Sequence, residues 1–467
     1  MKLDVPCKLP DTREPAYLVG GSIRDLLLER TPEDYDIVVH GNPEPYARKL
    51  AAIHHARAIA LGKDEKRIFR VKGRDAMYDV SQVKGDSIEA DLMQRDFTVN
   101  ALAYNTRSGD IIDVSHGRRD LDGGQIRLVS SAIFDRDPVR LLRAYRVAVQ
   151  LGFCIEKHTS DTIQKKNHLI RLAAGERIRD EWFSILRQSS ISACLADMND
   201  TGLLTAVFPE LNHLADLKQN QYHEFDALTH TLKTVEHLES LFNSPEKILP
   251  QSAGTLNRAL TPQRRMVLKC AAVLHDVGKP AAASMDDKGM RHYYGHEKIG
   301  ARMVEDMGRK FRFSNQERTS IALIVRQHLR PLFLFNQAKK AMPKKRTTAR
   351  FFLACGDLVP DIVSHAMADS RAKNGDVNKR HQQFATFADS LLQEYFNEFI
   401  AKAEAPRLVN GHDLIQAFKL EPSPLFSSIF KQVEEARIAG EVDSKADALE
   451  FAGRIINKDL SSISNNE

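Results

Sequence analysis

The sequence predicts an α+β fold in which a small mixed head precedes an all-helical remainder. Residues 1 to about 130 alternate short β-rich runs with helical stretches. From Asp137 onward, Leu141, Leu142, Tyr145 and Val149 fall at helical core spacing and strand signals become few. At roughly 150 residues per domain, the 467-residue chain is also too long for one ordinary core and points to about three domains.

Taken in order, the strand runs are Tyr17-Leu18-Val19, Asp36 to Val39, Arg67 to Val71 and Tyr78 to Val80, with a helix over Ile23 to Arg30. Phe208-Pro209-Glu210 closes a helical block, the Ser/Pro/Asn-rich stretch 243–263 reads as a loop, and Asn374-Gly375 marks a further break. Asn410-Gly411-His412-Asp413 reads as a turn and N-cap ahead of Leu414 to Phe418. These breaks divide the chain into a head (1–135), a helical neck (136–220), a third domain (221–378) and a C-terminal helical region (379–467).

Composition narrows the class. With 42% hydrophobic and 28% charged residues, the chain reads as soluble and globular, which excludes disordered, collagenous and membrane classes. The start lacks a basic-then-apolar signal region. Cys7, Cys154, Cys194, Cys270 and Cys355 stand singly without CxxC spacing, so a reducing cytoplasm is expected and no membrane partner. Sixty-seven basic against sixty-two acidic residues leave +5, which permits an anionic partner without identifying one. No heptad seam speaks to oligomeric state.

Two constellations carry chemistry. In the first, Val19-Gly20-Gly21-Ser22 delivers glycines from a strand to a helix start, where free backbone N–H groups favour phosphate. Asp34 and Asp36 follow, two apart on an extended segment, so both carboxylates face one side, a geometry suited to Mg²⁺ beside a triphosphate. Asp79, on a later strand, is the candidate third carboxylate; alone it reads as a solvated strand end.

The run LVGGSIRDLLLERTPEDYDIVV, with RDFTVNALAY at 95–104 and DPVRLLRAYRVAVQLGF at 137–153, resembles the class II tRNA nucleotidyltransferases and bacterial poly(A) polymerases. The resemblance spans roughly residues 17 to 210 and implies a polymerase-beta-like head on a helical neck. It implies that Asp34, Asp36 and Asp79 are catalytic, with Mg²⁺ on the first two. Gly20, Gly21, Ser22, Arg24, Arg95, Asp96, Asn100, Asp137, Arg140, Arg143 and Arg146 would bind the nucleotide. For Asp96 and Asn100, helix capping is the plain alternative.

Cytosine and adenine each pair an exocyclic amine donor with a ring-nitrogen acceptor. A carboxylate and a guanidinium three apart on a helix, Asp137 and Arg140, match that edge. In the resembling family this pair selects CTP and ATP without a template. Two positions depart from the motifs: Arg136 stands where Glu is usual, and Gln94 where Arg is usual. Arg136 would contact phosphate or neutralise Asp137.

From Asp79 the chain runs VSQVKGDSIEADLMQ straight into Arg95, without the long Arg- and Pro-containing loop of enzymes that build a whole CCA end. In the resembling family the short form marks CC-adding enzymes. The expectation is therefore CMP addition to tRNA 3′ ends from CTP, with ATP use and full CCA synthesis as the alternative. A poly(A) polymerase shares almost every head motif.

The second constellation is His230, His275-Asp276, His296, His328 and Asp369. Imidazoles mixed with carboxylates suit divalent transition metals. The ordered set resembles the HD phosphohydrolase superfamily over about residues 222–375. The resemblance implies a first metal on His230, His275, Asp276 and Asp369, with His296 and His328 completing a second site, for Mn²⁺, Ni²⁺, Fe²⁺ or Mg²⁺. An HD nucleotide phosphodiesterase with a binding-only head is the rival from another class. His223, His237, His292 and His365 fall outside the pattern and read as ordinary. The basic run Lys339, Lys340, Lys344, Lys345, Arg346 and Arg350 reads as a solvated face, with tRNA phosphates as the alternative. Trp182 reads as neck core.

Overall fold

The computed structural model describes residues 3–62, 67–215, 217, 225–338, 343–373 and 379–464, with side chains to 457. The chain forms two compact units, one of residues 1–188 with 193–208, the other of 189–192 with 209–467. The expected break at Phe208-Pro209 falls on this division. The Asn374-Gly375 break, Lys339, Lys340 and His223 lie outside the described residues.

In the first unit β1 (Ala16–Val19), α1 (Gly21–Leu27), β2 (Asp34–Val39), α2 (Glu44–Ile53), β3 (Ala58–Leu61), β4 (Ile68–Lys72), β5 (Met77–Gln82), α3 (Ile88–Leu92), β6 (Leu102–Asn105) and β7 (Ile111–Asp113) follow in order. The strands make one mixed sheet, β3-β4-β5-β2-β1-β6-β7. The expected strands are all present, each one to three residues longer or shifted by one. β3, β6 and β7 went unread, and the first helix stops at Leu27, three residues short of Arg30. β2 runs parallel to β5 and antiparallel to β1, with Asp36 level with Asp79 and with Val19. Alternation along β2 buries Tyr35 and Ile37 and leaves Asp34 and Asp36 facing out.

The neck helix Arg140–Leu151 explains its own orientation. Leu141, Leu142, Ala144, Tyr145, Val147, Ala148 and Leu151 are buried, which turns Arg140, Arg143 and Arg146 to the opposite side. Gly152, at φ 75°, ends it in the left-handed conformation. Trp182 is 1% exposed and packs edge-on against Phe208, as neck core should.

Among the described residues the second unit is helical apart from the two-stranded pairing of 284–285 with 291–292. The expected loop at 243–263 is instead two short helices, Pro245–Ile248 and Ala253–Ala259, and the start of a third, Pro262–Leu274. Two of the three prolines there, Pro245 and Pro262, occupy first turns, where proline's missing N–H removes no helical bond, and only Pro250 lies in a turn. Asn410 caps Gly411–Phe418 in a capping box with Asp413, as expected.

Where it is described the basic run is largely exposed, at Lys344, Lys345 and Arg350, and Lys345, Arg346 and Arg350 pair with acids distant in sequence. Arg350 Nε donates to the buried Glu435 at 2.6 Å, Arg346 lies within 4 Å of Glu435 and Glu441, and Lys345 pairs with Glu398. One stretch, 345–372, is long and apolar enough by composition to cross a membrane, but 78% of its apolar window is buried within the protein.

Candidate active sites

The head site is a cleft of about 710 Å³ lined by the β1–α1 turn, β2 and the basic face of the neck helix. Gly20 takes φ 74°, and a Cβ there would meet Arg95 Nη1 at 2.9 Å and Asp36 Oδ2 at 3.3 Å. Only glycine lets the backbone approach both groups. Ser22 Oγ donates to the Val19 carbonyl and steadies the turn.

Asp34 and Asp36 line the cleft. Asp36 opens to it yet is largely enclosed by protein, and this burial raises its pKa; Asp79 and Asp34 add like charge, and Arg95 partly offsets them. Crowded hard-oxygen donors of this kind are relieved by a divalent cation, so the residues fit the expected metal. Asp79 shares the face but accepts two bonds from Arg70, at 2.8 and 2.7 Å, and does not line the cleft.

The positive groups are fixed by a chain of bonds. Arg24 Nη1 donates to Asn100 Oδ1 (2.8 Å), Asn100 Nδ2 to Asp96 Oδ1 (3.1 Å), and Arg143 Nη1 to Asp96 Oδ2 (3.2 Å). Asp96 also accepts from the Phe97 N–H, but Phe97 is the N-cap of the short helix Thr98–Asn100 and no side chain caps it, so the capping alternative does not hold. Arg95 is pinned by the buried Asp91 at 2.9 Å, and Asp91 also accepts from the Lys84 N–H.

The template pair is arranged differently from its sequence reading. Asp137 is held bidentately by Arg177, at 2.9 and 2.8 Å, while Arg140 Nε stands 3.9 Å away. Burial pushes the Asp137 carboxyl up, but Arg177 outweighs it and the net shift is downward. Arg136 is exposed, so the neutralising partner of Asp137 is Arg177. Arg140 donates one bond, to the Gln94 carbonyl (3.2 Å), and keeps Nε and Nη1 buried without hydrogen-bond partners. Those donors await an acceptor.

Glu181 was also missed from sequence. It accepts from Arg143 Nε (2.9 Å) and Arg146 Nε (2.6 Å), fixing both guanidinium groups at the cleft wall. Glu181→Gln is expected to lower kcat/KM for the nucleotide by about 10²-fold, the scale of a ~1 Å misplacement. Steady-state kinetics alongside a melting curve would check it; an unchanged kcat/KM in a folded variant would refute the positioning role.

In the second unit the expected HD residues converge. His230 Nε2 lies 2.8 Å from Asp369 Oδ1, His275 Nε2 3.2 Å from Asp276 Oδ2, and His296 Nε2 3.4 Å from both Asp276 Oδ1 and His328 Nε2. His275, His296 and His328 share one device: each Nδ1 bonds the carbonyl three residues back, of Ala272, Tyr293 and Val325, which turns Nε2 inward. Such carbonyl contacts set the tautomer of ligating imidazoles. Two buried sets, His230 with His275 and Asp369, and His275 with Asp276 and His328, have donor atoms within 4.8 Å of one another. Burial alone would raise both carboxyls, but His275 and Lys279 hold Asp276, and Lys373 and His230 hold Asp369, well below the usual range. The donors fit a divalent transition metal.

His365 corrects the sequence reading. Far from ordinary, it is fully buried against His275 and His328, with ring centroids 4.9 and 5.5 Å away. Burial, reinforced by His275, lowers its pKa to about 3. Its spacing four before Asp369 was the available signal. His292 pairs with Asp286 outside the cluster, and burial lowers His237 to about 4.

Both units match known protein families. Residues 16–127 match the Poly A polymerase head domain, 152–214 the probable RNA and SrmB-binding site of polymerase A, and 227–355 the HD domain. The multifunctional CCA protein of Neisseria gonorrhoeae is 32% identical over 329 residues, covering 67% of this chain and 73% of that protein. The chain belongs to the tRNA nucleotidyltransferase family. Nearly full-length relatives of this nucleotidyltransferase are the A-adding enzyme of Deinococcus radiodurans (29% identical, 96% of each chain) and the CC-adding enzyme of Synechocystis (27%, 97% of this chain and 96% of that). The fold is similar to that of a Thermotoga maritima CCA-adding enzyme complexed with tRNA, with a TM-score of 0.61 at 19% identity over 95% of this chain and 91% of that one. The protein is thus an enzyme of the nucleotidyltransferase class with an HD domain, and both domain families use divalent metals.

Proposed function

We propose that this nucleotidyltransferase adds two cytidylates to tRNA 3′ ends from CTP and releases pyrophosphate. The observation that carries CC addition is the connection from β5 to α3. It comprises only residues 83–87, leaving no room for the long loop that the resembling family associates with switching from C to A.

In this mechanism the tRNA 3′-hydroxyl attacks the α-phosphate in line. Asp34 and Asp36 would hold Mg²⁺, which supplies hydroxyl activation and shielding of the triphosphate charge. Arg95, anchored by Asp91, and the Gly20 backbone face the phosphates. Arg140 offers its unpartnered donors to the base, and Asp137 keeps lone pairs beyond its Arg177 contact for the exocyclic amine. Arg143 and Arg146, fixed by Glu181, add positive charge where the leaving group forms. Asp79 neutralises Arg70 and supports the metal pair from the neighbouring strand.

The HD centre acts as a phosphohydrolase on phosphate esters of RNA ends, freeing the hydroxyl that the head extends. His230, His275, Asp276 and Asp369 would hold Mn²⁺, Ni²⁺ or Fe²⁺, whose chemistry is to generate a hydroxide nucleophile at neutral pH. Lys279, bonded to Asp276 at 2.6 Å, would add a further cation to the site for a substrate phosphate. The head (1–135), neck (136–220), HD domain (221–378) and C-terminal region (379–467) serve these two reactions in the cytoplasm.

The test is incorporation onto tRNA transcripts lacking the last three, two or one nucleotides, with CTP, ATP or both, read at single-nucleotide resolution. Arrest after two cytidines is expected. Addition of a terminal adenylate would replace CC addition with full CCA synthesis, and incorporation only onto the transcript lacking its last nucleotide would assign the A-adding activity of the Deinococcus relative.

A further inference from the structure

Strand register sets Arg70, Asp79 and Asp36 level with one another on β4, β5 and β2, so the three side chains form one row across a single face of the sheet. Neighbouring strands lie about 4.8 Å apart, which puts the Asp79 carboxylate one strand from the metal pair. Both its oxygens are already engaged. Arg70 Nε donates to Oδ1 at 2.8 Å and Nη2 to Oδ2 at 2.7 Å, so one guanidinium fork covers the whole carboxylate. Asp34 and Asp36 line the cleft and Asp79 does not. The Arg70 pKa is raised, first by its bonds to Asp79, and the charges of Asp34 and Asp36 add to the effect, so the guanidinium is coupled to all three carboxylates.

The fold gains little from this pair. Its side chains are 42% and 23% exposed, and an ion pair so open to solvent contributes about 0–1 kcal/mol to stability. The larger consequence is for the cleft. A fixed positive charge occupies the oxygens that a third metal-binding carboxylate would offer. Mg²⁺ in nucleotide sites is held by one or two carboxylates and takes its remaining ligands from water and substrate phosphates.

We propose that Arg70 is a positioning residue of the head, a built-in counter-cation that withholds Asp79 from the divalent metal and leaves Asp34 and Asp36 as its carboxylate ligands. The proposal rests on the reading of Asp34 and Asp36 as the metal pair and deepens it. Fewer protein oxygens on the ion leave more of its positions to the triphosphate and the RNA hydroxyl.

The test is a double-substitution cycle in the full chain, comparing the parent, Arg70→Met, Asp79→Asn and the two combined. Each protein is isotope-labelled at its methionine methyls and titrated with Mn²⁺. Met77, level with Asp34 on the neighbouring strand, is the reporter: its methyl signal, assigned with Met77→Leu, is broadened by a paramagnetic ion at the metal pair. Mn²⁺ held by the second unit is common to all four chains and cancels in the comparison. Arg70→Met is expected to tighten Mn²⁺ binding about tenfold, because affinity follows the number of charged ligands. Asp79→Asn should then weaken binding at least about tenfold more in the Arg70→Met chain than in the parent. Equal losses in both chains would mean that Arg70 acts by charge alone and would overturn the withholding of Asp79. Unchanged affinity in folded Arg70→Met would overturn the proposal outright, and a Met77 signal that Mn²⁺ leaves sharp in the parent would overturn the metal pair itself. Should a melting curve show Arg70→Met to be misfolded, Arg70→Gln takes its place in the same cycle.

Discussion

Asp36→Asn is expected to reduce nucleotide incorporation by about 10³-fold, the scale of removing a group that stabilises developing charge in a confined site. Asparagine keeps the shape of the side chain beside Gly20 and Arg95 but removes the negative charge. The same change should leave the protein as stable or more so. Burial raises the Asp36 pKa, with Asp79 and Asp34 adding to it, so the folded protein favours the protonated carboxyl. The sign follows: the stability Asp36 contributes is fully present below its unfolded pKa and is lost as pH rises through the folded value. At neutral pH the ionised carboxylate is a burden that asparagine lifts. Rapid-quench assays with CTP, paired with melting temperature at pH 5 and pH 8, would test both halves. Activity near that of the parent would remove Asp36 from the metal pair, and a large fall in melting temperature would show the loss to be structural.

What could be read in the sequence was what is local. Gly20-Gly21 and Asp34-x-Asp36 act through a turn and a single strand face, so spacing alone carried their geometry. The ion pairs that aim the arginines were invisible for the opposite reason. Glu181 lies 35 and 38 residues from Arg146 and Arg143, and Arg177 lies 40 from Asp137. Only packing of the neck helices brings them together, and an i,i+3 rule naturally assigned Asp137 to Arg140 instead. Asp91 was legible in principle, four residues before Arg95 on a helix. Prolines at 245 and 262 were read as breakers because sequence does not distinguish a proline that ends an element from one that opens it. His365 was set aside because it falls outside the ordered HD pattern, and burial supplied the missing distinction.

Asp276→Asn is expected to abolish the phosphohydrolase reaction, again by about 10³-fold, while CTP incorporation by the head is retained. The argument lies in how many groups Asp276 serves. Its two oxygens face His275 and His296, and Oδ2 accepts from Lys279, a buried lysine. Alanine would strand that ammonium without a partner, a change costing about 3–5 kcal/mol when a buried pair is broken. Asparagine leaves an amide oxygen to accept from Lys279 while removing the charge that holds metal, so loss of hydrolysis can be separated from loss of fold. The measurement is release of phosphate from RNA oligonucleotides ending in a 2′,3′-cyclic or 3′-phosphate with Mn²⁺, Co²⁺ or Ni²⁺ supplied in turn, with cytidylate incorporation on the same preparation. Hydrolysis persisting with any of the three ions would place the reaction outside this cluster. Hydrolysis and incorporation lost together would mean that the substitution acts through the fold. Their separation, mirrored by Asp36→Asn, would establish two independent active centres on one chain.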